Sequence, residues 1–228
     1  MFKKSIVIGL SACAMIAASG AIAASSSYIN RVQVTDGGHK IGNPEAKVSV
    51  IEFVSYTCPA CANYTRNHEG ALEIGYVATG KVTMEIRHII RDPIDLTAAM
   101  LTICGPASKF PQNHKAIMLG QDKWLPLAQS ASSAQRARWV SGTGASRRRA
   151  IANDMGFYTI MERRGYRRTD LDRCLADEAK ATSLAEASQA NGEKYFVSST
   201  PSFAINGVTL AGTHSWSLLE PQIKARLP

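Results

Sequence analysis

Residues 48–61 read VSVIEFVSYTCPAC, an apolar and β-branched run that leads into two cysteines separated by two residues. The run predicts a buried strand over residues 47–55. Pro59 suits the first position of a helix, because its missing N–H would have no partner there. The sequence therefore predicts that Cys58 lies partly exposed at the tip of a helix and that Cys61 lies beneath it, one turn later.

The position of the two cysteines indicates redox chemistry. A helix N-terminus stabilises a thiolate, which is the reactive form of cysteine. One sulfur can then attack a disulfide while the other resolves the mixed disulfide. A Cys-x-x-Cys pair can also hold zinc, but a structural zinc site needs four ligands, and the chain has no second pair of this kind. We expect no metal site, and a metal-binding chaperone that uses Cys58 and Cys61 stays open as an alternative of another class.

The first 23 residues have the pattern of a cleaved signal peptide. Lys3 and Lys4 precede an apolar stretch, and Ala21-Ile22-Ala23 is typical of a signal-peptidase site. We therefore expect export to the periplasm, with lipidation at Cys13 as the less favoured alternative. Cleavage leaves four cysteines, an even number that suits an oxidising compartment.

Positive charge is concentrated in one part of the chain. The formal net charge is +8, and nine arginines fall between Arg136 and Arg168 against only Asp154 and Glu162. Such a cluster can bind nucleic acid, but nucleic acid is an improbable partner for an exported protein. We predict no nucleic-acid partner and interpret the cluster as a solvated helical face, or as a surface for acidic partners or an anionic membrane.

The order of predicted elements is α/β at both ends and helical in the middle. Residues 25–40 are expected to form an extended or loose lead-in. The first strand and the helix from Pro59 to about Val77 are followed by a second strand over 81–90, parallel to the first because the crossover is long. Ala-rich helical segments fill about 100 residues. Thr200 to Leu210 then reads as two short strands joined by Asn206-Gly207, which is a strong hairpin signal.

Two further residues belong with the cysteines. Glu52 lies inside the apolar strand, where a carboxylate is costly to bury unless it is paired or protonated. Beside a dithiol, such a carboxyl can accept the proton of the buried sulfur. Pro201 begins a late strand after Thr200, and a cis proline beside the dithiol would expose backbone groups that pair with an extended substrate.

These features resemble the thioredoxin fold and, more narrowly, the DsbA-like thiol:disulfide oxidoreductases of bacterial envelopes. The resemblance covers essentially the whole chain after the leader. It implies an α/β, thioredoxin-like fold with an inserted all-helical domain. Residues 1–23 are then the signal peptide, 24–92 and 195–228 the thioredoxin-like domain, and 93–194 the helical insertion domain.

The resemblance also implies a role for each site residue. Cys58 is the exposed nucleophile, Cys61 the resolving thiol and Glu52 the proton relay. Pro201 is cis. The neighbouring positions that support the site and its substrate are Pro59, Ala60 and Thr200.

The implied activity is that of an oxidase that donates its Cys58–Cys61 disulfide to reduced or misfolded envelope proteins. A DsbB-like, quinone-coupled membrane protein would reoxidise it, and the dithiol needs no organic cofactor. The best-studied oxidases carry a histidine between the cysteines, whereas this chain has Pro59-Ala60, so we expect milder oxidising power.

Other activities of the same fold stay open. Thr200 is found in oxidases and in the reductase and isomerase branches, which are the nearest alternative. The lead-in before Lys47 is too short for the dimerisation domain of those isomerases, which favours a monomeric oxidase. A non-catalytic peptide-binding chaperone that uses the groove beside Pro201 is a further alternative.

The remaining cysteines and histidines have structural interpretations. Cys104 and Cys174 are either two buried thiols or, as an oxidising compartment favours, a disulfide that closes a loop of about 70 residues. His68 lies seven residues after Cys61 and is a weaker candidate for a place near the site. The other histidines show no clustering in the sequence, and we expect surface or structural roles for them: His39, His88, His114 and His214.

Overall fold

Six strands form one mixed sheet at the centre of the computed structural model, which describes residues 28–228. In chain order they are β1 (Val32–Val34), β2 (Gly38–Gly42), β3 (Val48–Val54), β4 (Val82–His88), β5 (Ser202–Ile205) and β6 (Val208–Thr209). The order across the sheet is β1-β2-β4-β3-β5-β6. The pair β3–β4 is parallel and the other neighbouring pairs are antiparallel. The predicted signal peptide and Cys13 lie outside the described residues.

The helices fall into three groups. Helix α1 follows β3 and alternates α-helical turns, Pro59–Tyr64 and Gly70–Leu72, with π-helical stretches, Thr65–Glu69 and Glu73–Val77. Between β4 and β5 lie α2 (Pro93–Thr102), α3 (Phe110–Leu119), α4 (Gln121–Gln129), α5 (Ser133–Val140), α6 (Gly144–Asp154), α7 (Phe157–Arg163), α8 (Arg168–Ala176) and α9 (Glu178–Tyr195). Helix α10 (Trp216–Lys224) closes the described chain. No helix among residues 28–228 is long and apolar enough to span a bilayer.

Strand β3 lies between β4 and β5 and is buried along almost its whole length. This position explains its near-continuous apolar sequence, because a strand covered on both faces of the sheet cannot alternate polar and apolar residues. On one face, Ile51 and Phe53 pack against Tyr195 at the end of α9. On the other face, Val50 and Val54 belong to the large core that the sheet shares with α1 and the helical block.

The thioredoxin-like fold with a helical insertion is confirmed. The β-α-β unit, the parallel β3–β4 pair and the hairpin around Asn206-Gly207 are present as predicted. Asn206 and Gly207 both have positive φ, of 50° and 82°, which explains why these two residue types stand at the turn.

Of the extended or loose lead-in expected over residues 25–40, the extended alternative agrees with the structure from residue 32 onward, where β1 and β2 form a hairpin that extends the sheet. Strand β2 pairs with β4, with His39 opposite Ile86. The side chain of Thr35 donates to Glu85 at 2.6 Å and fastens the turn to the sheet. Asp36-Gly37 in this turn is a hairpin signal, so the sequence did contain the information.

Candidate active site

The tip of α1 holds the cysteine pair. Cys58 is the N-cap residue, with an extended backbone (φ −94°, ψ 113°), and Pro59 takes the first helical turn. Helix α4 fixes this tip from the side, because Gln121 Nε2 donates to the carbonyl oxygens of Tyr56 and Cys58 at 2.6 and 3.0 Å. The backbone that carries Cys58 is therefore held by a buried side chain of the helical block.

Cys58 is poised as a thiolate. In the protonated form, Cys58 Sγ donates to the carbonyl oxygen of Thr200 at 3.1 Å. The interaction with the Cys61 thiol, together with the backbone N–H groups of Ala60 and Cys61, lowers the pKa of Cys58 to about 5 against the opposing effect of burial. The side chain is only 4% exposed, less than the partly exposed position expected from the sequence.

Cys61 has the opposite character. Its side chain is fully buried, and both cysteines are free thiols. Burial raises the pKa of Cys61, and the neighbouring Cys58 and Glu52 raise it further. At neutral pH the pair therefore consists of one thiolate and one thiol, which fits Cys58 as nucleophile and Cys61 as the resolving residue.

Glu52 lies in β3 with its side chain fully buried. Neither carboxyl oxygen has a hydrogen-bond partner among the described residues. Burial raises the pKa of Glu52 well above its usual value, and the charges of Glu69 and Glu73 add to this effect. Burial of this kind favours the protonated form of a carboxyl, so Glu52 has the character of a group that gives a proton as well as takes one.

The loop before β5 completes the site. The peptide bond between Thr200 and Pro201 is cis, as the resemblance implied. The carbonyl of Thr200 accepts from Cys58, and His214 Nδ1 donates to the carbonyl of Pro201 at 2.8 Å. The prediction had given His214 no part near the site, because twelve intervening residues separate it from Pro201 along the chain.

Three histidines form a buried cluster, so the expectation of scattered histidines is wrong. The phenol oxygen of Tyr56 lies 2.9 Å from His114 Nδ1 and 3.3 Å from His88 Nε2. His39 stacks on Phe110 at a centroid distance of 3.8 Å. Burial lowers the pKa of His39 to about 4 and that of His88 to about 3. These rings come from different elements, and only the tertiary fold brings them together.

Side chains of α1 and α3 form a charged group that the sequence patterns did not reveal. Glu69 Oε2 lies 3.6 Å from His114 Nε2, and Lys115 bridges Glu69 and Glu73. Burial by itself would raise the pKa of Glu69, but His114 and Lys115 outweigh it and the pKa is lowered. Glu69 and Glu73 follow Cys61 at multiples of four residues, a spacing that placed them on one face of the helix and could have revealed them.

The other predicted positions have simpler surroundings. His68 packs against the ring of Tyr64 at 6.0 Å rather than against the thiols. Cys104 and Cys174 form a disulfide with 5.8 Å between their Cα atoms, so the favoured interpretation of this pair is confirmed. Within residues 28–228, no group of three or more Cys, His, Asp or Glu side chains is arranged to hold a metal ion.

Comparisons with known proteins agree with this geometry. The model of a thioredoxin family matches residues 34–225. A protein of Rickettsia prowazekii, named as a candidate protein-disulfide oxidoreductase, is 30% identical over 178 residues, which is 77% of this chain and 57% of the relative. The chain thus spans little more than half the length of that curated relative.

Solved structures resemble most of the chain. The crystal structure of a protein-disulfide isomerase from Novosphingobium aromaticivorans is 49% identical, with a TM-score of 0.80 over 85% of this chain and 98% of that one. The structure of Wolbachia pipientis alpha-DsbA1 is 19% identical, with a TM-score of 0.67 over 86% of this chain and 94% of that one. The second likeness shows a shared fold.

Proposed function

Since this chain belongs to the thioredoxin family, we propose that it is a protein-disulfide oxidoreductase that acts as an oxidase through Cys58 and Cys61. Its oxidised form accepts two electrons from a pair of substrate thiols, which become a disulfide. The support comes from the cysteine pair at the tip of α1 and from the 49% identity to a protein-disulfide isomerase structure.

The reaction runs in two exchanges that balance. A substrate thiolate attacks Cys58 Sγ and the Cys58–Cys61 bond breaks. Cys61 leaves as a thiolate, which takes a proton from Glu52. A second substrate thiolate then attacks the substrate sulfur of the mixed disulfide, and Cys58 leaves as a thiolate. The low pKa of Cys58 favours this last step, because a less basic thiolate is the better leaving group.

The observation that carries the proposal is the placement of the two thiols, with Cys58 at the N-cap of α1 and Cys61 fully buried beneath it, and the pKa values that this placement implies favour an oxidase. A pKa of about 5 for Cys58 lies about two pH units below neutrality, which stabilises the reduced form by roughly 2.7 kcal/mol relative to an unionised thiol. For a two-electron couple this corresponds to about 60 mV towards a more oxidising disulfide. Such a stabilisation of the reduced form favours transfer of the disulfide to a substrate.

A disulfide isomerase is the second candidate, because the 49% identical structure carries that name. The two activities start from different redox forms. An oxidase in its disulfide form oxidises a reduced, unfolded protein stoichiometrically, whereas an isomerase in its dithiol form rescues a protein with scrambled disulfides. Parallel assays with reduced and with scrambled ribonuclease decide between them. Faster action of the dithiol form on scrambled ribonuclease would overturn the oxidase proposal.

The surroundings of the reaction are also proposed from the sequence. The leader pattern over residues 1–23 supports export to the periplasm, where disulfides persist. Reduced or misfolded envelope proteins are then the substrates. A DsbB-like, quinone-coupled membrane protein is the proposed electron acceptor, and the protein acts as a monomer.

Trapping of the mixed disulfide tests the assignment of the two thiols. In the variant Cys61→Ser, the Cys58 thiolate attacks a disulfide of an oxidised substrate protein and one substrate sulfur leaves as a thiolate. The mixed disulfide at Cys58 then accumulates, because the resolving thiol is absent. Non-reducing gels and mass spectrometry identify the linked cysteine. Adducts that accumulate in Cys58→Ser instead would reverse the two roles.

A further inference from the structure

A groove on the helical block, away from the cysteine pair, has the character of a binding surface. It lies where α3, α4 and α7 meet and has a volume of about 510 Å³. Leu119 and Leu127 lie along it with 45% of each side chain exposed, and Ile160 adds a third apolar side chain. We call it the α3–α4–α7 groove. None of the proposed catalytic residues lines it.

The rim of the groove carries positively charged side chains but no acidic side chain. Lys123, Arg163 and Arg164 line it, and no Asp or Glu does. Among residues 28–228, none of these three cations forms an ion pair within 4.0 Å. The Nε of Arg164 is buried and has no hydrogen-bond partner there. An unpaired buried guanidinium N–H is costly, and an acidic ligand would relieve that cost.

The unpaired state of Arg163 and Arg164 sets them apart from most of the arginine cluster seen in the sequence. Six other arginines of the cluster each contact a carboxylate, a backbone carbonyl or an aromatic ring: Arg136, Arg138, Arg148, Arg149, Arg167 and Arg168. Much of the local positive charge is therefore used internally. The two adjacent arginines at the end of α7 are left to face the groove.

We propose that the α3–α4–α7 groove binds an acidic amphipathic segment of a partner protein. Apolar side chains of the segment lie along Leu119, Leu127 and Ile160, and its carboxylates pair with the cations on the rim. A helix laid into a groove presents this arrangement through residues spaced i, i+3, i+4 and i+7. A protein segment fits this groove better than a flat membrane surface does, because the apolar and the cationic side chains line a concavity of about 510 Å³.

The test uses a fluorescent, cysteine-free helical peptide with leucines at i, i+3, i+4 and i+7 flanked by glutamates. The protein is the full described chain with Cys58 and Cys61 oxidised, so that thiol exchange with the peptide is impossible. Anisotropy gives the affinity for this peptide, for a matched peptide with lysine at each glutamate, and for an isomer whose scrambled order destroys the apolar face. The proposal expects saturable binding of the first peptide, weakened by salt, and at least about tenfold weaker binding of the other two.

Matched variants locate the binding. Leu127→Asp lies in the groove, and its control Leu218→Asp changes a leucine of similar exposure, 51%, on α10. Arg163→Glu reverses a rim charge, and its control Lys81→Glu reverses an exposed charge outside the groove. We expect Leu127→Asp to weaken binding about tenfold and Arg163→Glu roughly fivefold, with both controls within about twofold. Circular dichroism establishes that each variant is folded.

Several results would overturn the proposal. One is the absence of saturable binding, and another is equal binding of the acidic and basic peptides. Equal losses in a variant and its control would place the peptide elsewhere. Sedimentation with vesicles containing phosphatidylglycerol is the remaining arm: binding to vesicles that depends on Arg163, without peptide binding, would assign the groove to anionic lipid. None of these readouts depends on the redox activity, so they are independent of the proposed oxidase function.

Discussion

At the scale of the residue, Ala60 occupies the position where the best-studied oxidases carry a histidine. Its backbone N–H already helps to lower the pKa of Cys58, but its methyl side chain adds no charge. We predict that Ala60→His lowers the pKa of Cys58 below about 5 and shifts the reduction potential by roughly 30 mV per pKa unit towards oxidising values. Thiolate absorbance measured against pH gives the pKa, and Ala60→Gln is the uncharged control. Identical pKa values in the two variants would contradict the prediction.

Glu52 is predicted to reduce stability at neutral pH. Its pKa in the folded protein is raised well above 4.5, the ordinary value, so folding disfavours the charged form and stability falls as the pH rises above the unfolded pKa. Glu52→Gln removes this penalty. The variant should therefore gain free energy of unfolding at pH 7 and lose the gain towards pH 4, as measured by urea unfolding.

Glu69→Gln serves as a control of opposite sign. The pKa of Glu69 is lowered by His114 and Lys115 despite burial, so its carboxylate contributes stability above the unfolded pKa, and that stability is lost as the pH falls through the folded value. We expect Glu69→Gln to destabilise the protein at pH 7. Equal effects of the two substitutions at pH 7 would show that the opposite environments assigned to Glu52 and Glu69 are wrong.

Removal of the Glu52 carboxyl should also slow thiol exchange at Cys61. When a substrate thiolate attacks Cys58, Cys61 has to leave as a buried thiolate. Without a proton donor this charge is not neutralised, so the exchange is slower. A loss of about 10²-fold in the rate of substrate oxidation is typical for removal of a general acid. Stopped-flow measurements with Glu52→Gln at pH 7 check this, and an unchanged rate would remove Glu52 from the mechanism.

Local patterns in the sequence revealed four site residues, because strand, helix start and turn signals place Glu52, Cys58, Cys61 and Pro201. The histidine cluster could not be found in this way. His39, His88 and His114 come from β2, β4 and α3, and no local pattern states that β2 pairs with β4 or that α3 packs beneath α1. The contact of His214 with Pro201 has the same origin.

At the scale of the element, helix α4 supports the tip of α1 through one buried side chain. Gln121→Ala would leave the carbonyl oxygens of Tyr56 and Cys58 without their donor, at a cost of about 1–3 kcal/mol. We expect a lower free energy of unfolding and faster alkylation of Cys58 by iodoacetamide. Gln129→Ala, at an exposed position on the same helix, is the control. If the two variants have the same stability and the same alkylation rate, α4 does not hold the tip of α1 that carries Cys58.

Long elements with strong periodicity were predictable, and short edge elements were less so. Strand β3, helix α1 and the hairpin β5–β6 agree with the predicted positions. Strands β1 and β2 were missed, because segments of three and five residues, VQV and GHKIG, are too short to carry a strong periodic signal of their own. Their stability comes from pairing with β4, which supplies the hydrogen bonds that a lone hairpin lacks.

At the scale of the whole molecule, the Cys104–Cys174 disulfide ties α8 to the loop after α2 across 70 residues of chain. In the chain-entropy model such a loop stabilises the fold by about 4 kcal/mol. Cys104→Ala combined with Cys174→Ala should lower the free energy of unfolding by about that amount while the Cys58–Cys61 potential stays unchanged. Urea unfolding and a glutathione titration of the same variant check both parts. A changed potential would mean that the second disulfide is part of the redox site.

The central claim is that the Cys58–Cys61 disulfide is an oxidant, and its reduction potential tests this most directly. The measurement equilibrates the protein with glutathione buffers and follows the redox state of the pair. A pKa of about 5 for Cys58, about two units below that of the reactive cysteine of thioredoxin, predicts a potential about 60 mV less negative than that of thioredoxin, at about −210 mV. A value near the roughly −270 mV of thioredoxin would contradict the account and identify the protein as a reductant.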